Sequence, residues 1–350
     1  MTGHKTNAPL RVTVSRGIEG RFTTESVHLV DAVVSDGEGA LIAAYGDPDR
    51  GVFPRSSIKL LQALPLVESG AADKFAFEDR YLALACASHT AESFHTAAAT
   101  EMLKRAGLEP RCLECGEQLP LNPSDIAMVL SEGGPGAIHN NCSGKHCGFL
   151  CYAVHEGIET RGYVGFGHPV QRAVAGVLEQ ATGARHGEDN YGIDGCSIPT
   201  YQIPLRALAG AYGKVASGDG FGEARNKAVA RLRDACMANP EMIAGTGKFD
   251  TQIMQAMNAE TGRVFTKIGA EGVFAVSLPE LGIGFALKCH DGTERAAEVA
   301  CAALIESLLQ EADSTLSQSQ ASALKRLANP PIRSRIGIPA GEMACHFPEV

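Results

Sequence analysis

Between residues 11 and 45 apolar and polar positions alternate and Val and Thr are frequent, which predicts extended strands. The stretch Ser35-Asp36-Gly37-Glu38-Gly39 separates two apolar runs and predicts a hairpin turn. Pro54 ends the extended part, and Ser56 or Ser57 can cap a helix running to about residue 68. Helical spacing returns at 78–85 and 91–106, whereas Pro110, Pro120 and Pro123 interrupt any period across 108–132. Further helices are predicted over 142–154, 169–180, 205–215 and 222–237. The pattern then changes: 264–266, 272–277 and 282–288 read as short strands divided by Gly and Pro turns, a helix fits 294–310, and 332–338 reads as a last strand. Strands at both ends with helices between them predict an α+β architecture, an antiparallel sheet with flanking helices. There is no repeated βαβ alternation and no internal repeat. The polar stretch 311–320 is too short for a linker, so residues 1–350 are expected to form a single domain.

Composition narrows the function. A chain of 350 residues, 45% hydrophobic and 20% charged, can bury a substantial core. The net charge of −9, with no concentration of Lys and Arg, argues against nucleic acid or an anionic membrane as partner. Residues 1–10 lack the apolar segment of a secretory signal, and no run of 18 apolar residues occurs, so no membrane-spanning helix is expected. The 11 cysteines then read as reduced thiols of a cytoplasmic protein, some of them available as metal ligands.

Two patterns point to acyl chemistry. In Arg55-Ser56-Ser57-Ile58-Lys59 a serine and a lysine three residues apart share a helix face. A neutral amine so placed can take the hydroxyl proton, and burial or neighbouring cations such as Arg55 or Lys267 favour the neutral form. Backbone N–H groups at the helix start could hold an oxyanion. The plainer reading is a capping serine with a solvated lysine one turn later. Far downstream, Lys267-Ile268-Gly269-Ala270-Glu271-Gly272 resembles the Lys-Thr-Gly strand of serine acyl enzymes. Ser88-His89-Thr90 can display two side chains from a loop or simply start a helix.

The densest ligand cluster is Asn140-Asn141-Cys142-Ser143-Gly144-Lys145-His146-Cys147. Zinc suits Cys and His, with Cys196 a natural remote ligand and Asp194 a ligand or an orienting neighbour; the alternative is a set of small buried cysteines. Cys112 and Cys115 form a Cys-x-x-Cys pair best read as ordinary surface thiols. His4, His28, His155, His186, His290 and His346 read as surface or hydrogen-bonded histidines.

Taken together, Arg55 to Lys59, Ala87-Ser88-His89, Asn141-Cys142-Ser143-Gly144-Lys145-His146, Gly192-Ile193-Asp194-Gly195-Cys196, Gly245-Thr246-Gly247-Lys248-Phe249-Asp250-Thr251 and Lys267 to Gly272 resemble the rhizobial-type L-asparaginases, in order along the chain. The resemblance implies a fold similar to serine β-lactamases and glutaminases, a homodimer, and hydrolysis of L-asparagine to L-aspartate and ammonia. It implies two serine–lysine pairs, Ser56 with Lys59 and Ser88 with Lys267; the attacking group is Ser56 or Ser88, with Ser88 preferred and Ser56 then the activator. It also implies a zinc ion held by Cys142, Lys145 and Cys196, placed to orient rather than to activate water. Arg55, His146 and Asp194 are the expected substrate-binding residues. One departure stands out: Ala91 occupies a position where the resemblance leads one to expect Gly. Rival readings are a glutaminase or another amidohydrolase with the same machinery, a zinc-catalysed hydrolase, and an amino-acid-binding protein without activity.

Overall fold

The computed structural model describes residues 5–18, 21–259 and 262–349; His4 lies outside them. The chain forms two compact units, the first made of residues 1–57, 204–217 and 253–350, the second of 58–203 and 218–252.

The first unit is built on a nine-stranded sheet. Its main path runs Pro331–Arg333, Pro339–His346, Leu10–Ile18, Arg21–Asp36, Ile283–Cys289, Val273–Leu278, Phe265–Gly269. Leu41–Tyr45 also pairs with Arg21–Asp36, and the expected hairpin turn closes between them. Every pairing is antiparallel except that of Lys5–Thr6 with Leu41–Tyr45. Val30, Ala32 and Val34 are buried and so is Val33 between them. Val273–Leu278 is buried throughout. Successive strand residues point to opposite faces, so the middle of the sheet is covered on both sides.

The covering helices are Leu205–Ser217 and Glu294–Glu311, with Gln318–Ala328 packed on the latter. Contact with Leu205–Ser217 is close enough to require glycine on both sides. A Cβ on Gly213 would lie 2.0 Å from the Asp36 carbonyl oxygen, and one on Gly284 would lie 2.2 Å from the Tyr212 carbonyl carbon. Ser277, opposite Gly284 across the ladder, donates to the Tyr212 carbonyl at 3.0 Å and so ties the same face to the helix.

The second unit is helical apart from the two-stranded hairpin Tyr191–Ile193 and Pro199–Tyr201. Its centre is Ser143–Glu156, buried continuously from Ser143 to Cys151. Ser93–Arg105, Asp79–Ala85 and Leu64–Glu68 pack around it. Gly144 allows the approach of Asp79–Ala85, since a Cβ there would meet the Leu84 carbonyl oxygen at 2.3 Å.

The α+β reading and the antiparallel sheet are observed, with local differences. The helix expected from residue 56 to 68 is broken into a 3-10 turn and two short helices, Lys59–Gln62 and Leu64–Glu68, because Pro65 removes a backbone donor. Helices Pro123–Ser131, Phe249–Asn258 and Gln318–Ala328 were not predicted. The single strand expected at 332–338 is a hairpin, with Ile336 and Ile338 exposed between its two strands. No helix among the described residues is long and apolar enough to cross a membrane.

Gly284→Ala forces a methyl group into the backbone of Leu205–Ser217 and should destabilise the protein by about 1–3 kcal/mol. Urea unfolding of the variant would show this, and an unchanged midpoint would mean that the helix can retreat at no cost.

Candidate active site

Lys59 opens the short helix Lys59–Gln62, whose four residues are all buried. With 0% of its surface exposed, its amine must find acceptors within the protein, because an unpaired buried charge is prohibitive. It finds three: the Ala87 carbonyl, Ser88 Oγ at 2.8 Å and Cys142 Sγ at 3.1 Å. An ammonium has three N–H bonds, so its donors are all used. Motif spacing coupled Lys59 with Ser56; the serine hydroxyl its ammonium meets is that of Ser88. Ser88 lies in the loop after Asp79–Ala85 and is half-buried, with its backbone N–H donating to the Ile243 carbonyl at 2.9 Å.

Cys142 sits at the N-cap of Ser143–Glu156, held by Asn140 Oδ1, which accepts its backbone N–H at 2.9 Å. One helical turn on, Lys145 is 1% exposed and donates to Cys196 Sγ at 3.0 Å. Cys196 occupies the tip of the hairpin, where Asp194 Oδ1 accepts the Gly195 N–H at 2.7 Å and Ser197 adopts a left-handed φ of 74°. The three residues that the resemblance implies as zinc ligands therefore meet in one bonded cluster with Lys59 and Ser88.

Electrostatics in this cluster are asymmetric. A hydrogen bond from Cys196 holds the Cys142 thiol well below its ordinary range, and the Lys59 and Lys145 ammoniums help to overcome its burial. The same hydrogen bond, together with burial, pushes Cys196 up. Burial pulls Lys145 down, but the sulfurs of Cys196 and Cys142 and the Asp194 carboxylate outweigh it and raise the ammonium. The two sulfurs suit zinc, whereas the amine of Lys145 would first have to lose a proton that its surroundings hold. Among the described residues no group of three or more His, Cys, Asp and Glu could hold a metal.

His146 is fully buried, with Nδ1 2.7 Å from the Tyr163 hydroxyl. That hydroxyl already accepts the Glu114 N–H at 2.9 Å. His146 Nε2 is buried and, among the described residues, has no hydrogen-bond partner. Neither Tyr163 nor the carboxylate of Glu92 was singled out by sequence reasoning. Glu92 Oε2 accepts from Thr90 Oγ1 at 2.8 Å and from the Thr246 N–H at 2.9 Å, fastening the Gly245-Thr246-Gly247 loop to the segment that carries Ser88. An acidic residue at a helix start gave no signal beyond capping.

Arg55, Ser56 and Lys267 belong to the first unit. Arg55 has a left-handed φ of 52°, and Ser56 lies in the 3-10 turn Arg55–Ile58. A Cβ on Gly269 would be 2.3 Å from the Pro54 carbonyl oxygen and 3.0 Å from the Ser57 nitrogen, so this turn lies against the strand Phe265–Gly269. Lys267, two residues from Gly269, points to that same face; it is buried and donates to the Ile268 carbonyl at 2.8 Å. Cys112 and Cys115 are free thiols, Cys112 partly exposed. Cys115 is buried rather than at the surface, which pushes its thiol up to about 12.

Residues 12–345 match the L-asparaginase II family, and the chain belongs to it. No curated protein sequence matches. Among solved structures the chain is similar to Mglu in its native form, at 14% identity and TM-score 0.37, covering 83% of this chain and 62% of that one. It is also similar to a β-lactamase from Mycobacterium bovis (13% identity, TM-score 0.43, 82% and 95% covered) and a β-lactamase-like protein from Bacteroides dorei (12%, 0.38, 79% and 93%). Likenesses of this size decide nothing about the chemistry. The chain spans about three fifths of the length of the Mglu structure.

Ala91, where Gly was expected, has a φ of 61° and is 4% exposed. A left-handed conformation costs a residue with a Cβ about 1–2 kcal/mol, partly offset by about 0.4–1 kcal/mol because alanine is less free than glycine when unfolded. Ala91→Gly should therefore stabilise the protein by up to ~1 kcal/mol, seen as a higher unfolding midpoint. A lower midpoint would show that the buried methyl is worth more than the strain.

Proposed function

We propose that the protein hydrolyses the side-chain amide of L-asparagine to L-aspartate and ammonia, with Ser88 as nucleophile and Lys59 as its base. The observation that carries this reading is the 2.8 Å hydrogen bond between Lys59 Nζ and a half-buried serine hydroxyl. The base is the neutral amine, formed when the ammonium gives up to solvent the proton it directs at Ser88 Oγ. It takes the Ser88 proton as Oγ attacks the amide carbon and returns that proton to the departing nitrogen. Backbone N–H groups hold the oxyanion. Water then hydrolyses the β-aspartyl ester and restores the hydroxyl.

Ser56 and Lys267 are proposed as a second serine–lysine pair, supported by the packing of the Ser56 turn on the strand of Lys267. Arg55 is assigned to the substrate α-carboxylate, a bidentate partner for its guanidinium, and His146 and Asp194 to further substrate contacts. Zinc would be held by Cys142, Lys145 and Cys196; when bound, its charge keeps the sulfurs ionised and fixes the two loops that carry them. The resemblance also supports a single functional domain, a homodimer and a cytoplasmic location.

Ammonia release from L-asparagine, L-glutamine and a β-lactam control tests the substrate. Asparagine should be turned over fastest, and Ser88→Ala and Lys59→Ala should each lower kcat at least ~1,000-fold. Turnover that survives Ser88→Ala but not chelation would make the metal the catalyst. Zinc uptake gives a separate check. Cys196 and Lys145 are both held protonated in the metal-free protein, so each must lose its proton to bind, and the apparent affinity should fall about 100-fold per pH unit on acidification. Calorimetry in buffers of different ionisation enthalpy would count the protons released; a count of zero would rule out this ligand set.

A further inference from the structure

We propose that His89 is a positioning residue for the hydrolytic reaction: its ring clamps the Ser88 loop to the turn that carries Cys142, and so sets the geometry of Ser88 against Lys59. The proposal rests on the reading of Ser88 as nucleophile.

His89 is 1% exposed, and its backbone N–H donates to the Asn141 carbonyl at 3.0 Å. Its ring makes two further bonds. Nδ1 lies 3.1 Å from the Ala91 backbone nitrogen, which can only donate, so Nδ1 accepts and carries no hydrogen. A neutral imidazole then has its hydrogen on Nε2, which donates to Ser143 Oγ at 3.0 Å. Ser143 is itself 0% exposed. The hydrogen bonds thus fix both the tautomer and the ring orientation. Behind it, the His95 ring stacks on His89 at 4.8 Å and 14°, and its own Nε2 donates to the Glu241 carbonyl at 2.9 Å. Burial also keeps His89 neutral, since it and the charges of His95 and Lys59 hold the imidazole well below its ordinary range.

The two segments joined by this ring supply all three acceptors of Lys59. Ser88 precedes His89, and Cys142 precedes Ser143. The Lys59 ammonium spans the same gap from the other side, through Ser88 Oγ and Cys142 Sγ. His89 touches neither the reacting hydroxyl nor the amine. A displacement of about 1 Å of a reacting group can cost a hundredfold in rate, so loss of the clamp should appear in kcat and leave substrate binding alone.

The distinguishing experiment compares His89→Asn, His89→Gln and Ser143→Ala with Ser88→Ala in the full-length protein, by steady-state ammonia release from L-asparagine and by thermal unfolding. The asparagine side chain is too short to reach Ser143, so kcat should fall about 100-fold with KM within about twofold. Glutamine places an N–H near the position of Nε2 and should recover at least tenfold of that loss. Ser143→Ala should reproduce the asparagine result and add nothing to it in the double variant. Equal losses in the asparagine and glutamine variants, a loss carried by KM, or additive losses would overturn the proposal. If the asparagine variant does not fold, the glutamine and Ser143→Ala arms decide on the same terms. Activity retained in Ser88→Ala would instead remove the reading on which the proposal rests, whatever the His89 variants do.

Discussion

A lysine ammonium with no access to water is the constraint around which the helical unit is organised. Even after relaxation, taking such an ion out of water costs several kcal/mol, and only well-placed acceptors recover it. Lys59 draws them from two separate chain segments, the Ala87–Ser88 loop and Cys142 at the head of the central helix. Those segments must be brought to within one side chain of each other. Gly144 makes this possible, because any side chain there would strike the Leu84 carbonyl and push the helix start away from the loop. The carboxamide of Asn140 then sets the height of Cys142 by bonding its N–H.

A second layer of charge follows from the first. Cys142 accepts the hydrogen bond from Cys196 and feels two ammoniums, while for Cys196 that same bond and burial outweigh the Lys145 ammonium beside it, so two chemically identical thiols are driven in opposite directions. Groups with this kind of split in a partly enclosed site are where function concentrates. Backbone strain follows the sequence motifs. Among the described residues, non-glycine positions with positive φ number six, and four of them, Arg55, Ala91, Ser197 and Glu271, lie in or beside the motifs that carry the family resemblance. Strain of this kind persists only where the surroundings over-determine it.

The sheet was legible because its central strands are runs of β-branched and apolar residues set off by glycine turns, and Val273–Leu278 and Ile283–Cys289 fall within two residues of the expected limits. Helices with strong apolar periods, Pro169–Thr182 and Glu294–Glu311, were equally legible. Gln318–Ala328 was not, since its buried face is only Gln320, Leu324 and Ala328 and the rest is polar. For the site, spacing paired Ser56 with Lys59 because they lie three residues apart, whereas the serine hydroxyl bonded to Lys59 is that of Ser88. The bond between Lys59 and Ser88 depends on a helix-to-loop reversal, which no local period reports. Lys145 shows the same limit: its bond to Cys196 spans 51 residues of sequence, which no local spacing reports. The role of His89 was hidden because its partners, Ala91 and Ser143, lie on either side of a long helical excursion.

The hairpin Tyr191–Tyr201 has one further consequence. Two paired strands of three residues are marginal in water on their own, and Tyr191 and Ile193 are exposed. What fastens the tip is the approach of Lys145 to Cys196. Local opening of this hairpin is therefore coupled to whatever occupies the two sulfurs, and its opening free energy rises with any ligand that bridges them. A ligand on the two sulfurs would therefore slow amide exchange in the hairpin, and its loss would speed that exchange.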